Sequence, residues 1–356
     1  MTKKREELLM NSSSSSSPVS DSPSPAVSVL LPVFNAFHTI AKAVQSILDQ
    51  SFQDFELIII DDGSTDDTRK VLEQFVDNRI KKYFLSHRGI AKTLNFGLKT
   101  SRGTFIARMD ADDYSYPDRL NNQAAHLKVN PDVGLVSCLV EYYGDRQENT
   151  GYALYVDWLN EIRNSEDIYL RRFQESPIAH PSVMFRRELI GRYGGYSEEK
   201  LPEDYELWLR WMALNVKMAK LDEVLYRWTD SSSRLSRTHH NYDISNFYSL
   251  KAKYLSRFLK KEFKKSTTPE IWVWGTGKSA QKRAYYLTDY ALNVSKYIEV
   301  KPPPYQNNDL IYYKNLPSPG NRIILSYVSD RVGKQQIQQY LGEVGYVEGT
   351  DYFMMS

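Results

Sequence analysis

The stretch "VSVLLPVFNAFHTIAKAVQSILDQSFQDFELIIIDDGSTDDT", residues 27–68, alternates between two hydrophobic periods. Val27 to Val33 is a short, β-branched apolar run of the kind that suits a strand covered on both faces. Ile40, Val44, Ile47 and Leu48 then fall on one face of a helix. A second apolar run, "FELIII", ends in the acidic turn "DDGSTDD", where Ser64 or Thr65 is the expected cap of the next helix. The strand "RIKKYFL", a helix around "GIAKTLNFGLKT" and the strand "GTFIARMD" continue the plan. This alternation predicts an α/β fold with a mostly parallel sheet and helices on its faces.

In such sheets ligands sit beyond the carboxyl ends of the strands, where the strand order reverses. Asn35, Asp61, Asp62 and Asp110 all fall just past predicted strand ends, so one edge gathers polar groups from several strands. The stretch "ARMDADDYSYPDRL", Ala107 to Leu120, adds three aspartates within four residues. Like charges so close repel and raise one another's pKa unless a cation sits among them. On an extended segment the alternate side chains Asp110 and Asp112 point the same way. Hard oxygen ligands of this kind suit Mg²⁺ or Mn²⁺ with substrate phosphates completing the shell.

The chain has 356 residues, 41% of them hydrophobic, enough for a large core and more than one domain. A formal charge of +2 gives no electrostatic case for nucleic acid as a partner. The single cysteine, Cys138, excludes an internal disulfide and a cysteine-rich metal site, and is compatible with a reducing, cytoplasmic setting. Residues 1–26 are biased to Ser and Pro and read as a disordered tail without the apolar run of a signal peptide. No segment has the ~18–20 apolar residues a bilayer span requires, so any membrane contact is expected to be peripheral, on the inner face.

Residues 27–68, together with "ARMDADDYSYPDRL" and the later "LPEDYELWLRW", strongly resemble family 2 glycosyltransferases, over about Val27 to Arg237. The resemblance implies the GT-A fold, a nucleotide-sugar donor such as UDP-GlcNAc or UDP-Gal, Mg²⁺ or Mn²⁺, and hexosyl transfer with inversion to a saccharide or lipid-linked saccharide, as in cell-surface polysaccharide synthesis. Carried onto this sequence, it places Pro32, Phe34 and Asn35 by the nucleoside and Asp62 by the uracil or ribose, with Asp61 less definite. Asp110 would serve the ribose or the metal, and Asp112 would bind the metal directly. Asp113 would orient Asp112 or cap the next turn. Arg88 and Lys92 lie in the loop that approaches the donor, Asn95 either holds that loop or touches ligand, and Arg108 supports the acids.

A sugar hydroxyl is a poor nucleophile until a placed carboxylate takes its proton. By the resemblance Asp204, the second acid of "PEDYELWLRW", is that base and Glu203 positions the acceptor. His180 reads equally as a ligand contact or a structural residue. In the polar loop "YRWTDSSSRLSRTHH", Arg234, Arg237 and His239 are candidate phosphate contacts of a lid.

The domain is expected to span 27–240, followed by a helical linker over 241–268 and a small Rossmann-like unit over 269–356. The linker's apolar face, Tyr254, Leu255, Phe258 and Leu259, suits packing on the domain or a lipid surface. Gly275, Gly277 and Ala280 form a weak G-x-G-x-x-A turn, with Glu299 the one candidate for a ribose-binding acid. A similar extension occurs in β-1,3-N-acetylglucosaminyltransferase-like members of the family. Two other readings stay open at this point: a nucleotide-sugar-binding protein without turnover, and an NAD-linked oxidoreductase built on the C-terminal unit.

Overall fold

The computed structural model describes residues 24–231, 234–263, 268–302 and 307–356. Most of the predicted Ser/Pro tail, Ser232 and Ser233 of the polar loop, and part of the expected linker lie outside the described residues. Two sheets organise the chain. The larger contains β1 (Val27–Val33), β2 (Phe55–Asp61), β3 (Ile80–Phe84), β4 (Phe105–Arg108), β5 (Tyr114–Ser115), β6 (Val133–Tyr143), β7 (Met184–Arg186) and β8 (Lys217–Thr229). Its strand order is β3-β2-β1-β4-β7-β6-β8-β5.

The first four of these neighbours run parallel. Strand β7 is antiparallel to both β4 and β6, while β6 and β8 pair in parallel. The apolar runs behave as their composition requires: every residue of β1 and β2 is buried, because helices cover both faces. From β1 the chain builds outward to β2 and β3 and then returns to β4 on the other side. The reversal therefore lies between β1 and β4, and Asn35, Asp61, Asp62 and Asp110 emerge along that edge.

The helix after β2 starts later than expected. It runs Thr68–Gln74. Ser64 and Thr65 are engaged by Asn35 instead: Asn35 N donates to Ser64 Oγ at 2.9 Å, and Asn35 Oδ1 accepts from Thr65 N at 2.8 Å. Asn35 has φ 51°, a left-handed conformation that Asn tolerates better than most residues.

The smaller sheet contains β9 (Glu270–Trp274), β10 (Val294–Glu299), β11 (Leu310–Tyr312), β12 (Arg322–Ser326) and β13 (Tyr352–Met354). All pairs are parallel, in the order β11-β10-β9-β12-β13. Between the sheets runs the helix Ile244–Glu262. Its apolar face is covered within the molecule: Tyr254, Leu255 and Leu259 are buried, and Tyr254 donates to Glu206 Oε1 on the helix Glu203–Ala213. The lipid-facing reading of that helix is corrected by this packing, since the side chains that would enter a membrane already line the core. Among the described residues no helix is long and apolar enough to cross a membrane.

Candidate active site

The acidic cluster forms where β4 ends. Asp110, Asp112 and Asp113 bring carboxylate oxygens within 4.8 Å of one another. Tyr226 of β8 holds the turn from the side: its hydroxyl accepts from Asp110 N at 3.2 Å and donates to Asp113 Oδ2 at 2.9 Å. Asp113 Oδ1 accepts from Thr229 N at 2.7 Å. Asp113 thus ties the cluster to β8, which corrects the expectation that it orients Asp112 or caps a turn.

Asp110 pairs with the buried guanidinium of Arg108, whose pKa rises because Asp110 outweighs the effect of burial. No other described residue donates a hydrogen bond to the Asp112 carboxylate, and its pKa is pushed up to about 6 by burial and by the Asp110 charge, against the pull of Arg234. Asp113 is driven up by burial and by both neighbours. Hard oxygen donors with excess negative charge fit a divalent cation, with Asp110 and Asp112 the pair placed to hold it.

The second acidic pair opens the helix Glu203–Ala213, with Pro202 before it. Asp204 Oδ1 accepts from its neighbour Tyr205 N at 2.7 Å. Burial raises the Asp204 pKa, Arg108 lowers it, and the Asp110 charge raises it further. The two acidic motifs, separated by about ninety residues of chain, thus both feel the charge of Arg108. Glu203 lies deeper. Its pKa is pushed up to about 8 by burial and by Asp204, and Tyr242 Oη donates to its Oε2 at 2.6 Å. His180 is buried, its pKa held well below the usual imidazole value by burial and Arg108; its Nε2 is 2.8 Å from Tyr196 Oη. A neutral ring so placed is a structural element of the floor.

The donor edge differs in detail from expectation. Phe34 is 47% exposed and stacks at 4.5 Å on His87, forming an aromatic step at the strand ends. Pro32, expected by the base, is covered within β1. Asp62 is buried, and its oxygens accept from Arg88 N at 3.0 Å and Gly89 N at 2.9 Å, with His87 Nδ1 at 2.9 Å. Through these contacts it pins the 86–89 loop. Asp61 Oδ1 accepts from Ser64 N at 3.0 Å. The Arg88 and Lys92 side chains are exposed. Asn95 exchanges hydrogen bonds with Tyr196 N and O at 2.9 Å each, so it holds the 195–198 loop.

On the far side, Arg234 stacks on Trp228 at 4.3 Å and donates to Thr229 O, with its charge bearing on Asp112 and Asp113. Arg237 is engaged by Asp230 at 2.8 Å and lies over Tyr152. His239 Nδ1 accepts from Asn241 N at 3.2 Å. Sequence reading missed His87, Tyr226 and Tyr242. For His87 the signal was present beside Arg88, whereas the two tyrosines act on residues distant in the chain.

The model of the glycosyl transferase family 2 domain matches residues 28–194. WbnJ of Escherichia coli, an O-antigen biosynthesis glycosyltransferase, is 30% identical over 246 residues, covering 65% of this chain and 92% of WbnJ. This chain belongs to glycosyltransferase family 2. EpsE of Bacillus subtilis is 29% identical over 236 residues, 62% of this chain and 79% of EpsE. Among solved structures, S. aureus TarS 1-349 in complex with UDP-GlcNAc aligns with a TM-score of 0.52 at 21% identity, over 74% of this chain and 80% of that one. The larger sheet of this family 2 glycosyltransferase is thus the GT-A fold.

Proposed function

We propose that this enzyme is an inverting, divalent-metal-dependent hexosyltransferase that moves a sugar from a UDP-sugar to a hydroxyl of a saccharide or lipid-linked saccharide, in the synthesis of a cell-surface polysaccharide. The observation that carries the reading is the clustering of Asp110, Asp112 and Asp113 past β4, with carboxylate oxygens within 4.8 Å of one another and Arg108 paired to Asp110. The O-antigen role in WbnJ's name and the UDP-GlcNAc in TarS support the choice of pathway class and donor.

Asp204 is the base. Its half-buried carboxylate has a raised pKa, so once ionised it holds a proton more strongly than a solvated aspartate would, which suits removal of the acceptor proton as attack proceeds. Arg108 keeps enough positive charge nearby for Asp204 to ionise, and Glu203, held by Tyr242, retains its proton near neutrality and can donate to an acceptor oxygen. Asp110 and Asp112 would hold Mg²⁺ or Mn²⁺, which supplies positive charge against the departing diphosphate. Phe34 and His87 offer the base a stacking step, and Arg234 adds charge on the phosphate side.

The test is incubation with a panel of nucleotide sugars and Mn²⁺, following nucleoside-diphosphate release with and without saccharide acceptors. Acceptor-stimulated, metal-dependent release of UDP is expected. Donor binding without acceptor-dependent release would overturn the reading.

A further inference from the structure

Away from both acidic motifs, three helices meet around a cavity. The short helix Ser165–Arg171 with residues 172–173 forms one wall, the last turns of the helix Glu203–Ala213 a second, and the C-terminal half of the helix Ile244–Glu262 the third. Its volume is about 260 Å³, just under the ~300–1,000 Å³ of sites for drug-sized ligands, so it suits a small molecule. The rings of Tyr169, Phe173, Tyr254 and Phe258 supply much of the lining. Asp204 and the lining residue Ala213 stand at opposite ends of one helix, about 14 Å apart by helical rise. The cavity is therefore a separate site.

Cations line this space and acids do not: Arg172, Arg210, Arg257 and Lys261 border it. Two of them are already engaged, since Arg210 pairs with Glu206 at 3.0 Å and Lys261 Nζ donates to Asn215 Oδ1 at 2.8 Å. The other two are not. Arg172 is only 3% exposed, yet no carboxylate pairs with it among the described residues: its Nη1 donates to Tyr169 O, and its buried Nη2 has no hydrogen-bond partner. Its guanidinium lies 3.6 Å from the ring centre of Tyr169, 4.4 Å from that of Phe173 and 4.9 Å from that of Phe258. Ring faces recover part of the hydration that this charge gives up, but they leave the donor unmade. Burial pulls the Arg172 pKa down to about 10, with Tyr169, Tyr205 and the exposed Glu262 acting against it. The exposed Arg257 lies 4.9 Å from the ring centre of Tyr254, and its side chain makes no hydrogen bond or ion pair among the described residues.

A buried donor without an acceptor, on the border of a ring-walled space, fits an anion that carries an apolar body. The charge that suits is single. Burying a second one against these rings would leave it without a partner, whereas the two oxygens of a carboxylate match the edge of one guanidinium fork.

We infer that this cavity is a binding site for a small carboxylate with an apolar body, its oxygens held between Arg172 and Arg257 and its body lying against Tyr169, Phe173, Tyr254 and Phe258. The site is independent of the transfer reaction proposed above.

Calorimetric titration of the full chain with benzoate and with octanoate tests it. Benzyl alcohol and 1-octanol carry the bodies without the charge, and acetate carries the charge without a body. At least one of the two carboxylates binds, while its alcohol and acetate bind at least about tenfold more weakly. Binding of benzoate alone assigns a planar body, and binding of octanoate alone assigns a chain. Arg257→Gln weakens the bound carboxylate about tenfold, and Glu262→Gln strengthens it a few-fold. Because Arg172 variants disturb a buried charge, Ala213→Phe serves as the second variant: it fills the space from an exposed position and abolishes binding while the melting curve keeps its shape. No binding of either carboxylate up to about 10 mM, equal affinity for a carboxylate and its alcohol, or wild-type affinity in Arg257→Gln or in Ala213→Phe overturns the inference.

Discussion

The two sheets of this molecule reverse their strand order in the same manner, yet load the resulting edge with opposite charge. At the larger sheet, Asp61, Asp62, Asp110, Asp112 and Asp113 gather past β2 and β4. At the smaller, Arg283, Arg331 and Lys334 gather near the ends of β9 and β12. A parallel sheet supplies a crevice and helix N-termini at that edge whatever its sequence, so the side chains choose the ligand. The acidic edge can meet a diphosphate only through a cation. At the smaller sheet, Arg283 and Arg331 instead donate to main-chain carbonyls.

The largest effect is expected at the acidic edge. Asp112→Ala removes the one cluster member with no side-chain hydrogen-bond partner among the described residues, and metal-dependent turnover falls about 10³-fold or more. Steady-state kinetics with Mn²⁺ read the loss. Turnover unchanged in Asp112→Ala would break the distinction between the edges.

Next comes the buried pair. The Glu203 pKa rises from its ordinary carboxylate range to about 8, so its contribution to stability is complete below the ordinary range and is lost as pH rises through about 8. Glu203→Gln has no such loss. Melting curves from pH 5 to 9 should show the variant gaining on wild type as pH rises, by about 5 °C or more at the alkaline end. A pH-independent difference would mean that Glu203 is not buried as a proton-holding acid.

Gly63 lies in the turn after Asp62 with φ +78°, and a Cβ there would meet His87 N at 2.7 Å. Gly63→Ala costs on the order of 1–2 kcal/mol from the backbone alone and displaces the loop that Asp62 pins. Melting should drop by about 2–8 °C, with UDP affinity weakened alongside it. The smallest effect belongs to Lys92, whose exposed side chain has no hydrogen-bond or ion-pair partner among the described residues. Lys92→Ala should leave both melting and donor KM within about twofold or 0.5 kcal/mol; a larger change in KM would restore it to the donor site.

What could be read from the sequence divides along the same line. Strands β1, β2 and β4 are short continuous apolar runs, and the acids follow them directly in the chain, so fold class and acidic edge were both legible. Strand β6 was not, and of β8 only the end, "EVLYRW", could be read. β8 buries its residues in an uneven pattern, and its pairing with β6 shifts register at three points, which erases the period-two signal. Strands β7, β11 and β13 are three residues each, too short to show any period. Within the proposed site, Asp112 and Asp204 could be singled out because their motifs are local. The work of Asp62, Asn95 and Arg237 could not, because their partners, the 86–89 loop, Tyr196 and Asp230, reach them only through folding. The basic edge was invisible for the same reason: Lys251, Arg283, Arg331 and Lys334 are ordinary surface cations until the two sheets are set side by side.

The most direct test of the central claim, that the acids at 110–112 and the carboxylate of Asp204 serve one bound sugar, is single-turnover transfer by Asp204→Asn alongside its affinity for UDP and Mn²⁺. Transfer slowed by about 10²–10⁴-fold with UDP–Mn²⁺ affinity unchanged is the predicted result. Transfer at the wild-type rate in a properly folded variant would contradict the account.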